Sequence, residues 1–186
     1  KEAFVIVSLA WVFASFFGGL PFVINGDIPS IVDAFFETSS GFTTTGASIL
    51  TDVEALAHSS LFWRSFTHFI GGMGVLVFVM AILPEVDSSS VYIMRAEMPG
   101  PTFGKMVSRL TQIARILYLI YLVMTLVFII LLIIAGAPVF DAILLSFGTA
   151  GTGGFGVLNG SVAPYHNLAM ELILGSGMIL FGVNFT

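Results

Sequence analysis

The twenty residues Ile116–Ala135 carry no charge, and about 20 apolar helical residues is the length that crosses the hydrocarbon core of a bilayer. In that core every backbone polar group must be satisfied within the protein, which leaves helices and closed barrels as the options. Three further stretches are apolar and long enough, or nearly so, to span. They are Phe4–Leu20, ended by Pro21; Leu61–Leu83, ended by Pro84; and a stretch that starts at Leu168 and reaches Thr186. Composition agrees: 57% of the 186 residues are hydrophobic and 9% are charged, against about 25% charged in an ordinary globular domain. An all-α integral membrane protein in contact with lipid is expected. A net charge of -5 with six dispersed Lys and Arg argues against nucleic acid as a partner. The absence of Cys removes disulfides and thiol nucleophiles.

No basic segment precedes Phe4 and no small-residue cleavage site follows it, so the opening stretch reads as a span and not as a secretory signal. The chain opens on Lys1-Glu2-Ala3 and stops inside an apolar stretch, as expected of a piece of a longer protein. Arg95, Lys105, Arg109 and Arg115 lie between the second and third spans, which assigns that connection to the cytoplasm. Asp27, Asp33, Glu37, Asp52 and Glu54, with Arg64 the one base near them, fall on the outer side.

Both outward connections follow one plan. Ser30 opens a short apolar helix over Ile31–Ser39, and Asp33 three residues on completes a capping box. Ser40-Gly41-Phe42-Thr43-Thr44-Thr45-Gly46-Ala47-Ser48 follows. In the later connection Pro138 precedes a helix over Val139–Phe147, and then comes Gly148-Thr149-Ala150-Gly151-Thr152-Gly153-Gly154-Phe155-Gly156. The two blocks align without gaps at an offset of 108 residues, with Asp33 on Asp141, Ala34 on Ala142, Thr44 on Thr152, Gly46 on Gly154 and Leu50 on Leu158. The chain therefore reads as tandem units of span, short helix, loop and span: residues 1–84, a cytoplasmic connection over 85–114, and a second unit over 115–186.

A polar loop at membrane depth is tolerated where it is buried or lines a wet cavity. Cation filters are built from such loops, whose backbone carbonyls replace the ion's water shell. Gly beside Thr suits this, because Gly adopts positive φ without steric cost. Each short helix would also point its partly negative C-terminal end at the cation path. Potassium-channel-like architecture, M1–pore helix–filter loop–M2, is the expectation.

Phe42-Thr43-Thr44-Thr45-Gly46-Ala47, Trp63-Arg64, Ile70-Gly71-Gly72-Met73-Gly74 and Arg95-Ala96-Glu97-Met98-Pro99-Gly100-Pro101 together resemble the Trk/Ktr superfamily of potassium transporters, its TrkH-type uptake subunits in particular. Gly153-Gly154-Phe155-Gly156 and Gly182-Val183-Asn184-Phe185 extend the likeness through the second unit. The resemblance implies four M1-P-M2 repeats around one pore, of which this chain holds about two. It implies potassium (K+) as the transported ion, a homodimer of pore subunits in the cell inner membrane, and a TrkA-like cytoplasmic nucleotide-binding regulatory subunit. Carried over by position, Thr44, Thr45 and Gly46 form the first filter strand and Thr152, Gly153 and Gly154 the second. Gly at 46 and 154 favours potassium, since members with Ser at the first filter position are associated with sodium.

Arg64 reads either as a brace for the filter loop or as a base snorkelling at the interface, and His68, one turn on, as a packed helix residue rather than a metal ligand. His58 and His166 have no partner at ligand spacing. Gly71, Gly72 and Gly74, like Gly175 and Gly177, read as helix-packing positions ahead of gating hinges. Glu171 is expected to face the filter region or a partner loop, because an unpaired carboxylate in lipid is costly. No catalytic constellation is present, so an enzyme is not expected. A two-pore-domain-like channel subunit, a less selective K+/Na+ pathway and a non-conducting membrane scaffold stand as alternatives.

Overall fold

The computed structural model describes residues 2–74 and 103–182, and among them every regular element is helical. Helix α1 (Glu2–Asn25) has 24 residues and α4 (Phe103–Ile134) has 32, about 36 Å and 48 Å of axis. Within them Ser8–Asn25 and Arg115–Ile134 are long and apolar enough to cross a membrane. Helices α2 (Ile31–Phe42) and α5 (Val139–Ala150) have 12 residues each, about 18 Å, too short to span. Helix α3 (His58–Gly72) and, after a 3₁₀ turn at Ala163–Tyr165, helix α6 (Leu168–Gly182) complete the two units. The remainder of the expected second span with Pro84, the motif from Arg95 to Pro101, and Val183–Thr186 lie outside the described residues.

The long helices depart from the sequence expectation at the end of α1 and at the start of α4. Helix α1 does not stop before Pro21 but runs through it to Asn25. The proline forfeits one backbone hydrogen bond, yet tertiary contacts hold the last turn. Phe22 is buried against Ile28 and Ala34, and the Asn25 amide donates to Ser59 Oγ and Ser60 Oγ, each at 3.2 Å. Helix α4 begins at Phe103, so residues 103–114 of the connection are helical and continuous with the third span.

The long helices turn their bulk outward. On α1 the exposed residues include Val5, Leu9, Val12, Phe13, Phe16 and Phe17, while the buried stripe is Ser15, Gly18, Gly19 and Phe22. Small residues inside and large apolar ones outside is the pattern of helices packing in lipid, where close approach rather than hydrophobicity drives association. A Cβ at Gly18 would lie 2.7 Å from Thr38 Cγ2, and one at Gly19 would lie 3.1 Å from the Ala34 backbone, so α1 meets α2 almost backbone to backbone. Helix α3 packs on α2 of its own unit and on α5 of the next. The main core joins the units, with Val53, Leu56 and Leu61 from the first meeting Leu132, Leu144, Leu145, Met170 and Leu174 from the second.

Candidate functional site

The site is built at the C-terminal ends of the two short helices. Ser30, with extended backbone, accepts a hydrogen bond on its side chain from the Asp33 amide at 3.3 Å, one half of the expected capping box. Both helices run three residues beyond their expected ends at Ser39 and Phe147, to Phe42 and Ala150, again 108 residues apart. The first two bonds of their exits match: Thr43 N donates to Ser39 O at 2.9 Å as Gly151 N does to Phe147 O at 3.1 Å. Thr44 N donates to Gly41 O at 3.0 Å, and Thr152 N donates to Thr149 O at 2.9 Å.

The loop backbones then repeat one conformation. Thr44 has φ 54° and Gly46 φ 78°; Thr152 has φ 56° and Gly154 φ 78°. Positive φ is expected at the two glycines, but at a threonine it is a strained state for a β-branched residue. Within the loop the sequence comparison already carried the signal. From position 40 to 49 and its partner 148 to 157, the residues identical between units are Thr44/Thr152 and Gly46/Gly154, and these are the positions with left-handed backbone. Thr45 and Gly153 between them lack it. The loops also touch. A Cβ at Gly46 would overlap the Gly153 carbonyl oxygen and lie 2.9 Å from its carbon, and one at Gly153 would lie 2.9 Å from Thr44 O.

Behind the loops stands a buried ion pair. Arg64 Nε on α3 donates to Glu37 Oε1 on α2 at 2.6 Å, the two side chains being 4% and 0% exposed. Glu37 also accepts from Ser48 Oγ at 2.9 Å and from Ile49 N at 2.9 Å, just past Gly46 in the first loop. Arg64 Nη1 donates to Gly156 O at 2.9 Å, and its guanidinium lies 3.7 Å over the Phe155 ring, just past Gly154 in the second. Of the two readings of Arg64 the geometry is that of a brace, not a snorkelling base. Sequence reasoning placed Glu37 only among outward acids. Its signal was its place on the stripe Ala34, Glu37, Thr38, Gly41, the small-residue face of the helix opposite Ile31, Val32 and Phe36, with Arg64 the nearest base in the sequence.

His68 is fully buried, its ring 3.9 Å from that of Phe155 and pressed against Gly153. The Ser40 backbone approaches the ring without forming a hydrogen bond to either ring nitrogen, and no group of three potential metal ligands occurs among the described residues. His58 starts α3 with its ring against Phe140, and His166 ends the 3₁₀ turn. Glu171 lies exposed on the first turn of α6, not against the loops of this chain, because the inward face of that turn is taken by Met170 and Leu174. Gly71 and Gly72 are packing positions, a Cβ at Gly72 lying 2.9 Å from Gly151 Cα and overlapping Tyr121 Oη. Gly177 is packed against Thr149 and Phe128, whereas Gly175 and Gly74 have open space around them.

A polar lock joins the segments that follow the two loops. Asn159 Oδ1 accepts from Val53 N at 2.7 Å, Asn159 Nδ2 donates to Asp52 Oδ1 at 2.9 Å, and Asn159 N donates to Glu54 Oε1 at 2.9 Å. Within the first unit Asp27 accepts from Ser60 Oγ and from Ala57 N.

Residues 1–186 match the family described as TrkH, cation transport protein. The chain is 39% identical over 188 residues to the Trk system potassium uptake protein TrkH of Salmonella typhimurium, an alignment covering 100% of this chain and 39% of that protein. It is 35% identical to the Trk system potassium uptake protein TrkG of Escherichia coli, with the same two coverages. The crystal structure of the potassium transporter TrkH from Vibrio parahaemolyticus superposes with a TM-score of 0.78 at 35% identity, covering 99% of this chain and 36% of that one. The chain thus spans about two fifths of the length of these relatives. Tandem loops of matching backbone, helices fit for a bilayer and a family match over every residue converge: the chain belongs to the TrkH family of membrane cation transport proteins.

Proposed function

We propose that this chain supplies two neighbouring walls of a potassium uptake pore, with the backbone carbonyls of Thr44, Thr45 and Gly46 and of Thr152, Gly153 and Gly154 as ion ligands. The observation that carries this reading is the repeated φ pattern, positive at Thr44 and Gly46 and again at Thr152 and Gly154. An extended strand sends successive carbonyls to opposite sides. Left-handed residues alternating with ordinary ones turn successive peptide groups the same way, as in the backbone nests that bind anions through their N–H groups; the carbonyls then share the opposite side, which suits a cation. Two threonines held in a strained conformation at equivalent positions fit a site where geometry serves function. The names of the relatives, potassium uptake proteins, support K+ as the ion.

In this reading residues 1–84 and 115–186 are two M1-P-M2 units of a longer, multi-pass inner-membrane protein, the loops face outward and the 85–114 connection faces the cytoplasm. A homodimer of the complete pore subunit and a TrkA-like regulatory partner on the cytoplasmic side belong to the same proposal. The test is the ratio of potassium to sodium uptake by the full-length protein in a transport-deficient strain, normalised to protein in the membrane. Gly46→Ser should lower that ratio, and an unchanged ratio at normal abundance refutes the filter assignment. Single cysteines at Ser89 and Ser161 test orientation, since residues 1–186 have none. Labelling of position 89 from outside intact cells by an impermeant reagent overturns it.

A further inference from the structure

The two units differ at one pair of positions in a way that the fold itself interprets. At the 108-residue offset of the short helices Glu37 corresponds to Leu145; helices α3 (His58–Gly72) and α6 (Leu168–Gly182) match at an offset of 110, where Arg64 corresponds to Leu174, buried as Arg64 is. The second unit therefore builds the same short helix, the same loop exit and the same φ pattern without an ion pair behind it. A buried ion pair is in general no more stabilising than apolar residues of similar volume, because desolvation offsets the attraction. Folding of a unit does not call for the pair. What it adds is direction. Glu37 holds Ser48 Oγ and Ile49 N beyond the first loop, and Arg64 holds the Gly156 carbonyl and the Phe155 ring beyond the second.

We infer that Arg64, carried by Glu37, is a positioning residue for ion selectivity that ties the outer ends of both filter loops to a single point on α3. It rests on the filter reading above and goes beyond it, because the second loop takes its register from the first unit. Arg64 contacts no ion in this scheme. It acts by fixing where the carbonyls of Thr44–Gly46 and Thr152–Gly154 stop. A planar guanidinium does this where an ammonium does not, since it meets a carboxylate, a carbonyl and a ring face at once from a rigid fork.

The experiment uses the full-length protein and reads the potassium-to-sodium uptake ratio and the apparent KM for potassium, each against membrane abundance. The double variant Glu37→Leu/Arg64→Leu copies the second unit. It should reach the membrane at close to wild-type level while the ratio falls roughly tenfold, the scale of one lost charge-assisted hydrogen bond. Arg64→Lys should accumulate normally, raise the KM for potassium and lower the ratio in the same direction. Normal ratios in both variants at normal abundance overturn the inference. So does failure of both to accumulate, which marks the pair as a requirement of folding. Gly46→Ser, measured alongside, separates the two ideas. If it lowers the ratio while the Arg64 variants do not, the positioning role is wrong and the filter stands; if none of them lowers it, the filter reading itself falls.

Discussion

Gly46 and Gly154 occupy equivalent positions with the same φ of 78°, yet a side chain at each meets different surroundings. Replacing either by Ser forces an L-residue into the left-handed region at about 1–2 kcal/mol. At Gly154 the new Cβ would otherwise meet only Met178 Cε at 3.1 Å, the end of a flexible side chain that swings away at little cost. At Gly46 it would run into backbone, overlapping the Gly153 carbonyl oxygen and sitting 2.9 Å from the carbonyl carbon, where ordinary contact begins at 3.4 Å. The loops must part by at least about 0.5 Å at the carbon and by more at the oxygen, and overpacking of this kind costs a further 1–3 kcal/mol or so. The movement is taken up by a carbonyl proposed to hold the ion. Gly46→Ser should therefore lower the potassium-to-sodium uptake ratio by an additional factor of about 5 to 150 relative to Gly154→Ser. The assay is paired uptake of the two ions by full-length protein in a transport-deficient strain, with each variant quantified in the membrane fraction. Equal losses for the two variants, or a larger loss for Gly154→Ser, refute the argument from the Gly46–Gly153 contact.

Gly72→Ser should lower yield and thermal stability in detergent while leaving the uptake ratio of the surviving protein unchanged, because its Cβ would collide with Tyr121 Oη, Gly151 Cα and the Ala150 carbonyl at the end of α5, and not with a carbonyl of Thr152–Gly154. Asn159→Ala removes side-chain bonds to Asp52 and Val53 across the units, and should cost about 1–3 kcal/mol, seen as faster cleavage of the 47–57 segment by protease added from outside. Tyr165 donates to Asp141 Oδ2 at 2.6 Å, and burial first, then that carboxylate, pushes its hydroxyl above its ordinary range. Its contribution is present in full below about pH 10, where the unfolded tyrosine is still protonated. It is lost as pH climbs from there through the raised folded value, so Tyr165→Phe should flatten the alkaline fall of the melting temperature; an identical fall in both proteins argues against the bond.

The positions of the first and third spans, the starts of both short helices at Ile31 and Val139, and the duplication of the short helices and loops at an offset of 108 residues were legible in the sequence, because hydrophobic length, a capping serine and a proline at a helix start act through near neighbours in the chain. The likelihood of positive φ at Gly46 and Gly154 was legible for the same reason. At Thr44 and Thr152 identity between the units marked the positions but not the conformation, since β-branched residues disfavour it and the surrounding fold imposes it. Helix α1 outran Pro21 because Phe22 and Asn25 found partners on residues 28 to 60. Glu37 and Arg64 lie 27 positions apart, and Arg64 reaches Gly156 across 92. No local rule joins such residues. Which glycine admits a side chain, which acid is buried and which, like Glu171, is left at the surface are decided by what another segment places within a few ångströms, and the tertiary structure alone sets that.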